Sequence, residues 1–117
     1  MQINKETEEK IGQLQLMEQN MQNIIMQKQA FQTQLFEVDN ALNEIEKTKD
    51  ETYKIVGPIM VATSKKELKD DLQSKKEILE LRIKNLEKQE KKIKEEATQL
   101  QTEVMKKLKQ KGGGADA

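Results

Sequence analysis

One β-branched stretch with little charge, near the middle of the chain, constrains the fold more than any other feature. Residues 52–64 read TYKIVGPIMVATS and contain the only proline and the only tyrosine of the sequence. Gly57 and Pro58 separate two short runs of strand-forming residues. Glycine tolerates the backbone that precedes proline, and proline lacks an N–H and favours a turn. The stretch therefore predicts a two-stranded β-hairpin over 53–63.

Two charged arms of similar length flank this stretch, and apolar residues recur in both at alternating steps of three and four. The ten seam positions of the first arm are Leu14, Met17, Met21, Ile24, Lys28, Phe31, Leu35, Val38, Leu42 and Ile45. Those of the second arm are Leu72, Lys76, Leu79, Ile83, Leu86, Glu90, Ile93, Ala97, Leu100 and Val104. This spacing predicts helices over 4–52 and 64–111 that pack along their seams as a coiled coil.

The predicted helices carry start and stop signals. Asn4 is an N-cap residue before an acidic first turn, and Ser64 and Glu67 form a capping box at the second start. Gly112–Gly114 follow a lysine-rich last turn, which is typical of a helix end. We therefore expect a single unit over 1–111 and a disordered tail over 112–117.

The short connection and the charges of the arms both favour a chain that folds back on itself. Residues 1–52 hold five lysines and ten acidic residues, net −5, whereas 63–111 hold fifteen basic and ten acidic residues, net +5. Arms of opposite charge favour pairing with each other. Reversal at Gly57 predicts an antiparallel register that pairs Leu35 with Leu79, Phe31 with Ile83 and Met21 with Ile93.

Composition excludes several functions. Apolar residues make up 34% and charged residues 36% of the chain, which is too polar for an ordinary globular core, and sustained heptads argue against disorder. The absence of His and Cys removes the commonest bases, nucleophiles and metal ligands, so we expect no enzyme, no cofactor and no metal site. Three aromatic residues and zero net charge argue against a nucleic-acid partner. No apolar run could span a membrane, so we expect a cytoplasmic protein.

The predicted hairpin cannot be stable alone, because an isolated hairpin is marginal in water and its open edges must be covered. It could serve as a simple loop that closes a helical hairpin. Because both helices are committed to each other, we favour an assembly in which hairpins of several subunits form a shared β body. The residues predicted for subunit assembly are Tyr53, Ile55, Val56, Gly57, Pro58, Ile59, Met60 and Val61.

From about residue 5 to 110 the chain resembles the β-type subunits of the prefoldin family. The central Tyr-Lys-Ile-Val-Gly-Pro-Ile-Met-Val, residues 53–61, carries the resemblance most specifically. The segments LELRIKNLEKQE at 79–90 and IMQKQ at 25–29 add to it. One hairpin between the helices, rather than two, is similar to the β type. The archaeal complex is the nearest in style, and a eukaryotic sixth-type subunit is similar.

The resemblance implies a fold and a function. The fold is mainly α, a long antiparallel two-helix coiled coil whose central β-hairpin joins an intersubunit β-barrel-like body in a hexamer of two α and four β subunits. The implied function is that of an ATP-independent chaperone that holds non-native proteins at the coiled-coil ends and delivers them to a group II chaperonin. A structural coiled-coil or filament-forming scaffold subunit is the alternative.

Beyond Leu14 and Leu100 the seam loosens, with Thr7, Lys10 and Lys107 at core positions. A frayed end that exposes Ile, Leu and Met can bury apolar client surface without a fixed shape. The residues predicted for client binding are Ile3, Ile11, Leu14, Leu16, Met17, Val104, Met105 and Leu108. Ordinary fraying is the alternative for each. A basic cluster at the end of the second arm is predicted to dock on an acidic chaperonin surface, although charge runs are usually just solvated: Lys106, Lys107, Lys109 and Lys111.

Overall fold

The fold follows the predicted plan of helix, β-hairpin, helix. A computed structural model describes the backbone of residues 4–116 and the side chains of residues 4–109. The elements, in chain order, are α1 (Lys5–Lys47), β1 (Thr52–Val56), β2 (Ile59–Thr63) and α2 (Lys65–Asp116). The mainly α architecture with a central antiparallel hairpin is therefore confirmed.

The start of α1 is fixed by the predicted cap. The Oδ1 atom of Asn4 accepts a hydrogen bond from the backbone N–H of Thr7 at 2.7 Å, and its carbonyl accepts one from Glu8. Glu6 and Glu8 lie in the first turn, where carboxylates interact favourably with the helix dipole. The N–H of Thr7, one of the donors at the helix start that have no intrahelical acceptor, is thereby satisfied locally.

α1 ends at Lys47, before the predicted end at 52, because a lysine of α2 caps it. Lys65 Nζ donates hydrogen bonds to the carbonyls of Glu46 and Thr48, at 3.4 and 3.1 Å. The hydroxyl of Thr48 turns back to the carbonyl of Glu44. Without Lys65, the carbonyls of Glu46 and Thr48 would lack the intrahelical donors that earlier carbonyls have. The chain is then free to enter β1 through a short connection.

The hairpin pairs β1 with β2 in one antiparallel register, from Thr52↔Thr63 at its base to Val56↔Ile59 at its turn. Gly57 has a φ of +58°, and Pro58 follows with the negative φ that its ring imposes. A positive φ followed by a negative one matches a type II′ hairpin turn, which takes glycine in its first central position. The predicted turn at Gly57 is confirmed.

α2 begins as predicted, but its capping glutamate has a different partner. The Ser64 Oγ accepts a hydrogen bond from the N–H of Glu67 at 3.1 Å. The Glu67 carboxylate accepts one from the hydroxyl of Thr63 at 3.4 Å, whereas a capping box would direct it to the N–H of Ser64. One half of the predicted capping box is therefore present.

α2 continues to Asp116, past the end predicted at 111 and through Gly112–Gly114. Glycine lowers helix stability by about 1 kcal/mol relative to alanine but does not exclude helical backbone. The sequence predicts a disordered tail over 112–117, whereas the structure has helix as far as Asp116. Ala117 lies outside the described residues.

The chain divides into two compact units. The hairpin unit is Lys28–Asn85, and the terminal unit combines Met1–Gln27 with Leu86–Ala117. Each unit contains a segment of both α1 and α2. The predicted extent of one folded unit over 1–111 stays a prediction.

In the hairpin unit the two helix segments are antiparallel. Ion pairs join Asp39 to Lys76 at 2.9 Å and Glu46 to Lys69. The Phe31 ring lies under the guanidinium of Arg82, with 5.6 Å from its centroid to the guanidinium carbon. Arg82 neighbours the predicted partner of this phenylalanine, so the register agrees with reversal at Gly57. The buried core residues of this unit are Val38, Ile45, Leu79 and Ile83.

In the terminal unit the helix segments are also antiparallel, because Glu6 pairs with Lys107 and Lys10 pairs with Glu103. The buried residues here are Thr7, Ile24, Leu86 and Val104. All twenty predicted seam positions of the two arms are buried or half-buried across the two units. The predicted seams are therefore confirmed as the sides on which the helices bury their apolar residues.

Candidate functional site

The hairpin presents one face that no described residue covers. Cross-strand partners share a face of a sheet, so Tyr53 lies beside Ala62 and Ile55 beside Met60 on one side. All four side chains are exposed, Ile55 to 75%. We call these four residues the open face. An exposed apolar surface of this kind typically marks an interaction site.

The opposite face of the hairpin is held towards α2. Lys54 lies on this face, half-buried, with its Nζ 4.0 Å from the Oδ2 of Asp71 in α2. At the base of the same face the hydroxyl of Thr52 donates a hydrogen bond to the carbonyl of Thr63 at 2.7 Å. The Lys54–Asp71 contact therefore lies on the side of the sheet opposite the open face.

All eight residues predicted for subunit assembly are exposed on the hairpin. Beyond the open face, Val56 and Ile59 are exposed beside the turn. Both strands of a two-stranded sheet are edge strands, so each also has backbone groups without a partner in this sheet. The structure brings the predicted residues together on one element, and their role in assembly stays a prediction.

Tyr53 is the one open-face residue with a polar anchor. Its hydroxyl donates a 2.7 Å hydrogen bond to the carboxylate of Glu51, just before β1. This hydrogen bond raises the pKa of Tyr53, because the neutral hydroxyl is the form that donates. The ring therefore has a fixed position on the open face with its polar end satisfied.

The hairpin unit also exposes apolar side chains on its helices. Phe36 of α1 and Ile78 and Leu81 of α2 are all more than half exposed. Their positions lie off the seam, where heptad spacing places polar residues in most coiled coils. The hairpin unit therefore has exposed apolar side chains on its helices as well as on the open face.

The residues predicted for client binding have very different exposures in the terminal unit. Leu16 and Met105 are exposed, Ile11, Leu14, Met17 and Leu108 are half-buried, and Val104 is buried. Ile3 lies outside the described residues. Leu14 and Met17 line an open groove of about 360 Å³ together with Met21, Ile93 and Ala97. The groove brings Met21 next to Ile93, as the predicted register requires.

Ion pairs join the two helices at the end of the terminal unit where the sequence predicts a loosened seam, and fraying of this end stays a prediction. Glu6 Oε1 lies 2.7 Å from Lys107 Nζ and 3.5 Å from Lys10 Nζ, and Lys10 Nζ lies 3.2 Å from Glu103 Oε2. We call Glu6, Lys10, Glu103 and Lys107 the terminal ion-pair cluster. Thr7, a polar residue at a seam position, is only 2% exposed within it.

The electrostatics of this cluster follow from its geometry. The hydrogen bond and the charge of Lys107 lower the pKa of Glu6, and Lys10 adds to the effect. The hydrogen bond to Glu103 raises the pKa of Lys10. Glu6 and Lys10 are therefore each held in the charged form. The i,i+4 spacing of Glu6 and Lys10 is the one sequence signal of this cluster, because it places the two charges side by side on α1.

The lysines predicted for chaperonin docking do not form one uniform surface. Lys107 is engaged by Glu6 across the two helices. Lys106 and Lys109 are exposed and line a shallow groove on α2 with Met105 and Leu108. The side chain of Lys111 lies outside the described residues. Two of the four lysines are thus exposed beside an apolar strip, and a third is committed to an ion pair.

Among the described residues, no group of three or more acidic, His or Cys side chains is placed to hold a metal ion. No described helix has an apolar segment of the length that crossing a bilayer requires.

Comparison with known proteins identifies the family. The profile described as "Prefoldin subunit" matches residues 8–111. The chain belongs to the prefoldin family. The prefoldin subunit beta of Thermococcus onnurineus is 40% identical over 105 residues, covering 88% of this chain and 90% of the relative. That of Archaeoglobus fulgidus is 36% identical with the same coverage.

The crystal structure of the prefoldin beta subunit from Thermococcus strain KS-1 has a TM-score of 0.87 to this chain at 36% identity. The match covers 92% of this chain and 96% of the chain in that crystal structure. The beta2 subunit from the same strain has a TM-score of 0.69 at 21% identity, which shows the fold alone. The resemblance to prefoldin β subunits is confirmed, and with it the predicted fold class of the single chain.

Proposed function

We propose that this prefoldin-family chain is a subunit of an ATP-independent chaperone that holds non-native proteins and delivers them to a group II chaperonin. The observation that carries the proposal is the match to prefoldin β subunits over most of both chains.

Assembly in this proposal takes place through the hairpin. Its open face and two free strand edges need partners, and hairpins of other subunits supply both β pairing and apolar cover. We propose two α and four β subunits around a β-barrel-like body. The helices have their own buried seams, whereas the hairpin has an exposed apolar face and two free strand edges together.

Client binding in this proposal takes place in the terminal unit. Leu16 and Met105 are exposed there, and the groove at Ala97 offers further apolar surface. A fully buried apolar side chain contributes only about 1.5–3 kcal/mol, so one subunit binds weakly. Several subunits held in one assembly bind an unfolded chain together, with an effective concentration that the assembly sets.

Delivery to the chaperonin rests on the exposed lysines near the end of α2. Lys106 and Lys109 offer positive charge to an acidic surface, and such contacts weaken as salt rises. Chaperonin binding that is insensitive to ionic strength would contradict this part of the proposal.

The test measures assembly and client holding separately. The chain is combined with a prefoldin α subunit, its native mass is determined, and suppression of aggregation of an unfolded test protein is recorded. Met105→Ser is compared with Met26→Ser, because these methionines of the terminal unit are 64% and 66% exposed. We expect normal assembly for both variants and weaker suppression for Met105→Ser alone.

Equal loss for the two methionine variants would contradict client binding at the end of α2. Removal of residues 1–12 and 104–117 should abolish suppression while leaving the native mass of the complex in the hexameric range. A complete assembly that never suppresses aggregation would instead indicate a structural scaffold subunit.

A further inference from the structure

The terminal ion-pair cluster joins α1 to α2 by two contacts that cross between the helices. One is Glu6 with Lys107, and the other is Lys10 with Glu103. Lys10 also lies near Glu6 on α1, so the four charges form a continuous chain from helix to helix.

The cluster encloses a layer that the heptad pattern alone would leave weak. Thr7 lies between Glu6 and Lys10 in the sequence, and Val104 lies between Glu103 and Lys107. Thr7 and Val104 are both buried. A threonine contributes little apolar area to a seam, and the two crossing ion pairs are the polar contacts between α1 and α2 that flank this layer.

Lys107 is also the one cluster member with further lysines beside it. Lys106 and Lys109 are exposed on the same turn and make no ion pair with any described residue. They line the groove that contains Met105 and Leu108. A polypeptide segment with carboxylates next to an apolar residue is complementary to this surface, because the carboxylates can pair with the lysines and the apolar residue can contact the groove.

Such a segment competes with Glu6 for Lys107. The Glu6–Lys107 pair is exposed at the protein surface, where ion pairs are individually weak and readily exchanged. Several carboxylates of one peptide, concentrated by Lys106 and Lys109, can displace a single carboxylate. When Lys107 is displaced from Glu6, the pair between Lys10 and Glu103 is the remaining ion pair of the cluster that joins α1 to α2.

We propose that the terminal ion-pair cluster is a latch, which an acidic polypeptide segment opens by taking Lys107 from Glu6. Opening loosens the start of α1 and uncovers Val104 and the apolar side chains near it. This inference rests on the proposed function for its purpose, since it couples docking on an acidic partner to the surface that holds clients. Coupling between two ligands is reciprocal, so a bound client would also strengthen docking.

The test uses amide hydrogen–deuterium exchange of the full-length chain in its complex with the α subunit. The probe is a synthetic oligoglutamate peptide with one central leucine, and the control is an oligoglutamine peptide of equal length with the same leucine. At low salt we expect the glutamate peptide to accelerate exchange in the first turns of α1 by about fivefold or more, the lower end of typical coupling. The glutamine peptide should leave exchange unchanged.

Two variants decide whether the latch carries the effect. Glu6→Gln should exchange fast without peptide and gain nothing from the glutamate peptide. Glu9→Gln is the matched control, because Glu9 is exposed on the adjacent turn and forms no ion pair with any residue that the structure describes. It should behave as the unmodified chain does, with slow exchange that the glutamate peptide accelerates.

Three results would overturn the proposal: no binding of the glutamate peptide, binding without faster exchange at the start of α1, or an undiminished response in Glu6→Gln. The readout contains no client, so it is independent of the proposed chaperone function. If the glutamate peptide opens the latch but the complex never suppresses aggregation, the latch is supported and the chaperone function is rejected.

Discussion

The sharpest test of the helix packing compares two leucines on one helix. Leu79 is 2% exposed at a seam position, whereas Leu81, two residues further along α2, is 58% exposed. Replacing a buried leucine by alanine removes its transfer free energy and leaves a cavity, at a cost of about 2–5 kcal/mol. A fully buried leucine gains about 1.5–3 kcal/mol, so Leu81, with less than half of its surface covered, should lose about 0.6–1.3 kcal/mol. Helix propensity hardly separates the variants, because both replace leucine by alanine.

Urea unfolding followed by helical circular dichroism measures the two free energies, with a linear extrapolation to water. Protein concentration is kept equal for all variants, because association makes apparent stability depend on it. We expect Leu79→Ala to lower the free energy of unfolding by at least about 0.7 kcal/mol more than Leu81→Ala. Equal losses would refute the assignment of the seam. A larger loss for Leu81→Ala would show that another subunit covers this leucine.

Three further predictions concern the turn, a cap and the terminal ion-pair cluster. Gly57→Ala should destabilise the hairpin by about 1–2 kcal/mol in thermal unfolding, because φ is +58° and the new Cβ meets no atom within 4 Å, so the cost is backbone strain. Ser64→Ala should cost about 1 kcal/mol in urea unfolding, through loss of the Glu67 N–H partner. The lowered pKa of Glu6 gives stability that is present above the ordinary carboxyl value of 4.5 and lost as pH falls below it. Exchange in the first turns of α1 should therefore accelerate relative to the core between pH 5 and pH 3, and this acceleration should be smaller in Glu6→Gln.

The seam could be predicted from the sequence because its cause is local. A residue that recurs every 3.5 positions lies on one side of a helix whatever that helix packs against. Lys76 shows how far the rule extends, since it occupies a seam position as a charged residue and is still half-buried, paired with Asp39. The aspartate holds this lysine charged and raises its pKa. The stem of a lysine can cover apolar surface while its ammonium reaches a partner.

The end of α1 could not be predicted, because it depends on a residue far along the chain. Nothing between 47 and 52 is a glycine or a proline, so local signals allow the helix to continue. The structure ends it where Lys65 Nζ reaches the carbonyls of Glu46 and Thr48. That contact exists only after the hairpin has brought the start of α2 beside the end of α1.

The terminal ion-pair cluster was missed for a related reason. Thr7, Lys10 and Lys107 are poor seam residues when each is judged alone, which predicts a loose end. Glu6 and Glu103 lie off the seam, so the heptad pattern gives them no role. Only the antiparallel register places Glu6 beside Lys107 and Glu103 beside Lys10. These ion pairs could have been predicted by applying that register to the charges as well as to the apolar residues.

The distribution of charge explains why association should take place through the hairpin rather than through the helices. Glu46 and Asp39 of α1 already pair with lysines of α2, and these pairs border the buried seam of the hairpin unit. A second helix that approached this seam would have to break those pairs and expose the core. The hairpin has no such barrier, because Lys54 is its one charged residue and lies on the face held towards α2. The open face, on which Ile55 is the most exposed of the three large side chains, can be covered by another chain without breaking any ion pair of the described residues.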